Sequence, residues 1–177
     1  MPILHPLTPE KATGKTAKIY QEIEAAFGRV PAVLQVQGWS EAALSQQWES
    51  IKYYRNHPHL SPALTATIRM LVSQANHCDY CVGFNEALLI DQFGQSPDDV
   101  SATKKNPEAT PLPEREKAIL LLTLKAVQTP AAVSQTDMDR LIAMGWSEGD
   151  IMDAVIHGAR NQMIDVIMNT FKIERDF

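Results

Sequence analysis

The sequence predicts an all-α fold, a compact bundle of about seven helices, because apolar residues recur at three- and four-residue steps in segment after segment. Two further observations point the same way. No segment alternates convincingly as a strand, and helix-start signals precede most of the apolar segments. With 177 residues, 45% of them hydrophobic, the chain has enough apolar material for one core, so residues 1–177 are expected to form a single domain.

An extended lead-in, Leu7-Thr8-Pro9-Glu10, precedes a first helix carrying Ala17, Tyr20, Ile23, Glu24 and Phe27, which Gly28 ends. Val30-Pro31 breaks the chain, since a residue before proline is pushed out of the helical region, and Gly38-Trp39-Ser40 supplies the next stop and N-cap. A second helix starts at Ser40 or Glu41, carries Trp48, Ile51 and Tyr54 or Arg55, and is interrupted by His57-Pro58-His59. Ser61-Pro62 starts a third, a cap followed by proline at the first position, with Leu64, Ile68, Leu71 and Val72 as its apolar stripe. A fourth begins at the cysteines and runs through Phe84, Leu88 and Leu89 to Phe93-Gly94. Residues 95–111 are the most polar, proline-punctuated stretch and read as a surface connection.

Pro113-Glu114-Arg115-Glu116 then opens a helix that is apolar nearly all round, with Ile119, Leu120, Leu122, Leu124 and Val127, and it is expected to be central. Ser134-Gln135-Thr136-Asp137 caps a shorter helix. Ser147-Glu148-Gly149-Asp150 caps a last one carrying Ile151, Ala154, Val155, Gly158, Met163, Ile164 and Ile167. Arg160, Asn161, Gln162 and Asp165 interrupt that final pattern, and subunit contacts are the expected partners for these polar groups.

Composition removes several function classes. With 16 basic against 21 acidic residues the net charge is -5, and no window concentrates Lys and Arg into a phosphate-binding stripe, so nucleic acid is not an expected partner. The longest apolar run, Ile119-Leu120-Leu121-Leu122-Thr123-Leu124, stops at Lys125, well short of the ~20 residues a membrane span needs. Met1-Pro2-Ile3-Leu4-His5-Pro6 has neither the basic nor the apolar region of a secretory signal, so a cytoplasmic location is expected. Cytoplasmic thiols are kept reduced, and a Cys-x-x-Cys pair there points to catalysis or metal binding.

The pair is Cys78 and Cys81, in His77-Cys78-Asp79-Tyr80-Cys81. With Asn76 as N-cap, Cys78 falls in the first helical turn, where unpaired N–H groups and the helix dipole favour a thiolate. Cys81 is three residues on, nearly one turn, so the two sulfurs can face each other and close a disulfide. Asn85, four residues past Cys81, lies over the same stripe, and His77 is the one imidazole that spacing places near a thiol. Two other readings of the residues stay open. One is a pair of small buried core cysteines. The other is a zinc site in which His57 or His59 joins His77, Cys78 and Cys81.

Ala26-Phe27-Gly28-Arg29-Val30-Pro31, Leu60-Ser61-Pro62, Cys78-Asp79-Tyr80-Cys81 and Gly145-Trp146-Ser147-Glu148-Gly149-Asp150-Ile151 together resemble the alkylhydroperoxidase D-like members of the carboxymuconolactone decarboxylase family. The resemblance spans most of the chain. It implies an all-α fold, a homo-oligomer (trimer or hexamer), and reduction of a peroxide substrate by a Cys-x-x-Cys pair recharged by a dithiol protein or lipoyl-type donor. No cofactor or metal is implied. By the same resemblance Cys81 attacks the peroxide and Cys78 resolves the sulfenic acid. The family's proton relay is incomplete: its glutamate falls on Ala66 and its histidine on Asn85. Asn85 can hold a water or an oxyanion but cannot shuttle protons, which leaves His77 and Glu86 as the nearest substitutes. The expected catalytic set is Cys81, Cys78, His77 and Asn85. A thiol–disulfide exchange or redox-sensing protein is the alternative that the missing relay favours.

Overall fold

The structure, a computed structural model, describes residues 2–177. Among the described residues the regular structure is helical throughout, with no strand, as the spacing of apolar residues requires. The chain divides into two units. One comprises the described residues up to Asn56 together with Ile167–Phe177, and the other is His57–Val166.

The first unit contains α1 (Gly14–Phe27), α2 (Ala32–Gln37) and α3 (Glu41–Arg55). Gly28 ends α1 in the left-handed conformation, φ 75°, which glycine adopts without a Cβ clash. Ile19, Tyr20 and Ile23 of α1 form a core with Val30, Leu34, Leu44 and Trp48. The Tyr20 hydroxyl stands 3.0 Å from the Leu7 carbonyl and 3.2 Å from that of Gln35. It also lies so close to Gly38 that a Cβ there would approach it to 2.0 Å, which fixes glycine at this corner. Helix α2 is a departure from the sequence reading. Pro31 breaks the chain as expected, but it then serves as an N-cap, and the Asp176 carboxylate accepts from the Ala32 N–H at 2.8 Å.

The second unit contains α4 (Pro62–Ala75), α5 (Asp79–Asp91), α6 (Pro97–Lys105), α7 (Glu114–Gln128), α8 (Gln135–Ala143) and the start of α9 (Glu148–Phe171). Ser61 caps α4, accepting from the Leu64 N–H at 3.0 Å, and Pro62 occupies the first turn. Helix α4 packs on α5 and α7, and α7 buries Ala118, Ile119, Leu120, Leu122, Thr123 and Leu124, as a central helix should. Helix α6 lies within the stretch read as a surface connection. Its start signal is nonetheless complete: Ser96 and Asp99 form a reciprocal capping box around Pro97, and Val100 and Thr103 turn inward. Together α2 and α6 account for the helices beyond the expected seven.

Helix α9 also begins on a reciprocal cap, with the Asp150 N–H donating to Ser147 at 3.1 Å and the Ser147 N–H donating back to Asp150. His59 sits 2.8 Å from the same carboxylate. Burial pushes the Asp150 carboxyl up, but hydrogen bonds from Ser147 and His59 outweigh it and hold the group at about 2. At Gly158 the helix passes so near α4 and α7 that a Cβ would come within 2.9 Å of Thr123 and Val127.

Two of the four polar residues for which subunit contacts are expected, Asn161 and Asp165, find partners within this unit. His157, Asn161 and Asp165 recur every four residues, and Thr65, Arg69 and Ser73 do the same on α4, so one polar seam joins the two helices. His157 Nε2 lies 3.2 Å from Arg69 and 3.2 Å from the Thr65 carbonyl. Burial, with Arg69 next, lowers the His157 pKa to about 3, so the ring is neutral at pH 7. No helix among the described residues is long and apolar enough to cross a membrane.

Candidate thiol redox site

The thiols lie where α4 turns into α5. Asn76 closes α4, His77 takes the left-handed conformation at φ 54°, and Cys78 is the N-cap of α5. The Cys78 N–H reaches back to the Ser73 carbonyl at 2.9 Å, which tightens the reversal. The sequence reading placed Asn76 at the helix start and Cys78 in the first turn. Instead Asn76 belongs to the preceding helix, and Cys81 occupies the first turn of α5, where backbone N–H groups have no carbonyl partner.

Both sulfurs are buried, and they stand 2.7 Å apart. Cys81 keeps 5% of its surface exposed and Cys78 1%, so of the two Cys81 is the more open to a small molecule. A third acidic group completes the site. Asp165, from α9 and fully buried, places a carboxylate oxygen so that the oxygen and both sulfurs all lie within 4.8 Å of one another. Three neutral donors hold that carboxylate: Ser73 at 2.7 Å, Asn76 at 2.9 Å and Asn161 at 3.2 Å. Asn161 also donates to Ser73 at 2.8 Å. The Cys78 sulfur, burial and the Asp165 carboxylate together push the Cys81 thiol well above its ordinary range. Burial likewise raises Asp165, against the opposing donors from Asn76, Ser73 and the two thiols. A site this buried resists holding two negative charges side by side.

The other expected site residues are His77 and Asn85. His77 is exposed on the turn, and no hydrogen bond joins its ring to either sulfur among the described residues. Asn85 is buried with both ends of its amide engaged, donating to the Cys81 carbonyl at 2.8 Å and accepting from Arg69 at 2.7 Å. Ala66 is wholly buried in α4, and Glu86 is paired with Lys104. His57 and His59 are drawn to Asp153 and Asp150, away from any set with the thiols. The three clustered donors also suit zinc poorly. Two thiolates on one tetrahedral zinc stand about 3.8 Å apart and need two further ligands, whereas only Asp165 joins the pair among the described residues.

Sequence reasoning did not place Asp165 in the site. Its signal was present, as a carboxylate and an amide four residues apart interrupting an otherwise apolar helix, but nothing in the spacing said which helix they faced.

The fold is that of the alkylhydroperoxidase AhpD-like, peroxidase-related proteins. A peroxidase-related protein from Silicibacter sp. TM1040 superposes with a TM-score of 0.79 at 22% identity, over 98% of this chain and 88% of that one. An AhpD-core, peroxidase-related protein from Ralstonia eutropha JMP134 gives 0.79 at 20% identity, over 98% and 94%. The debrominase Bmp8, solved with 2,3,4-tribromopyrrole, gives 0.76 at 17% identity, over 98% and 91%. No protein-family model and no curated protein matches the sequence.

Proposed function

We propose that the protein is a thiol-dependent, peroxidase-like antioxidant enzyme. The observation that carries this reading is the approach of two buried sulfurs to 2.7 Å at a helix start, with the more exposed one in the first turn. Cys81 thiolate attacks one oxygen of an organic hydroperoxide, the S–O bond forms as the O–O bond breaks, and an alcohol leaves. Cys78 then displaces water from the Cys81 sulfenic acid and closes the disulfide, which requires the sulfurs to approach to about 2.05 Å. A dithiol protein or lipoyl-type donor reduces the disulfide and is itself oxidised. A cytoplasmic location belongs to the same reading, because the reductants that recharge such a pair are found there.

Purified protein is expected to consume an organic hydroperoxide with dihydrolipoamide as reductant, and Cys81→Ser to lose that turnover. Undiminished turnover in the variant would sink the reading. Thiol–disulfide exchange or redox sensing is the second reading, supported by Ala66 and Asn85 in the relay positions and by the raised Cys81 thiol. A measurable Cys78–Cys81 redox potential without peroxide turnover selects it.

A further inference from the structure

We propose that Asp165 is a catalytic residue of the thiol pair, taking the Cys81 proton and returning it to the leaving group. The inference rests on the thiol reading above and supplies the proton path that Ala66 and Asn85 leave open.

Three acidic groups, Cys78, Cys81 and Asp165, share one buried space in which their reactive atoms all lie within 4.8 Å. Among the described residues no basic side chain hydrogen-bonds to Asp165. The titratable groups facing it are the two thiols; Ser73 and Asn76 from α4 and Asn161 from its own helix are neutral donors. A site of this composition favours a single negative charge, so ionising Cys81 is least costly when its proton stays inside, on the carboxylate. The donors from two helices also fix the carboxylate against rotation, as a proton acceptor requires. A carboxylate kept only to tie α9 to α4 needs no thiols beside it.

The step balances. Cys81–SH and Asp165–COO⁻ become Cys81–S⁻ and Asp165–COOH. The thiolate forms the S–O bond, the O–O bond breaks, and the alkoxide takes the proton from Asp165 and leaves as alcohol. In the second step the Cys78 proton passes by the same carboxylate to the hydroxyl leaving Cys81, so that water departs as the S–S bond forms. Asp165 ends each step ionised, and the peroxide is the only oxidant consumed.

The test compares wild type, Asp165→Asn and Asn76→Ala in single-turnover oxidation by an alkyl hydroperoxide and by a peroxycarboxylic acid, whose carboxylate leaves without needing a proton. Asp165→Asn is expected to slow the alkyl hydroperoxide reaction by ~10²-fold and the peracid reaction markedly less. Asn76→Ala removes a donor that favours the ionised carboxyl, so the acid limb of its pH–rate profile should move to higher pH. A two-fold or smaller loss in Asp165→Asn, equal losses for both oxidants, or an unmoved limb in Asn76→Ala overturns the inference. Asn76→Ala keeps it testable if Asp165→Asn does not fold. Wild type inert toward both oxidants would instead overturn the peroxidase reading.

Discussion

Cys81 owes its place to two residues that the eye passes over, Asn76 and His77. Asn76 has the composition of either a helix stop or a helix start, and which it is depends on whether the next residue can turn left-handed; His77 does, at φ 54°. That choice shifts the start of α5 by two residues and moves Cys81 into the first turn. The Cys-x-x-Cys spacing was therefore legible in the sequence, while the capping position of each thiol was not. The same conformation makes His77 the residue on which the chain reverses. A left-handed non-glycine residue costs ~1 kcal/mol, so His77→Gly should raise stability in urea unfolding by up to about 1 kcal/mol and keep peroxide turnover. A large loss of turnover at unchanged stability would instead support His77 as the base.

At the scale of elements, the seam between α4 and α9 makes the site. The sequence shows Asn161 and Asp165 interrupting the apolar pattern of α9 but not which neighbour meets them. The structure supplies partners from α4, where Thr65, Arg69 and Ser73 repeat every four residues. The close passage at Gly158 sets the depth of the seam, since any Cβ there meets methyl groups of Thr123 and Val127 at 2.9 Å. Gly158→Ala should lower stability by ~1–3 kcal/mol in urea unfolding, the usual cost of overpacking. An unchanged midpoint would mean that α9 can shift without strain, and the placement of Asp165 would then be less strictly fixed than described. Helix α6 teaches a related point: Ser96-Pro97-Asp98-Asp99 is a full start signal, yet the short polar stretch after it lacks the apolar stripe by which helices are usually recognised.

For the whole molecule, the all-α architecture was legible because apolar periodicity and capping signals agreed along most of the chain. A homo-oligomer is expected from the family resemblance and from the polar groups that interrupt the last helix. In the structure Met152, Ile156, Met163 and Val166 are exposed along one face of α9, at steps of four, seven and three residues. The central claim nevertheless concerns the two sulfurs, and it is tested most directly by mass spectrometry after one equivalent of an organic hydroperoxide. The account predicts the loss of two hydrogens and a peptide crosslinked through Cys78 and Cys81. Recovery of both cysteines as free, alkylatable thiols would contradict it.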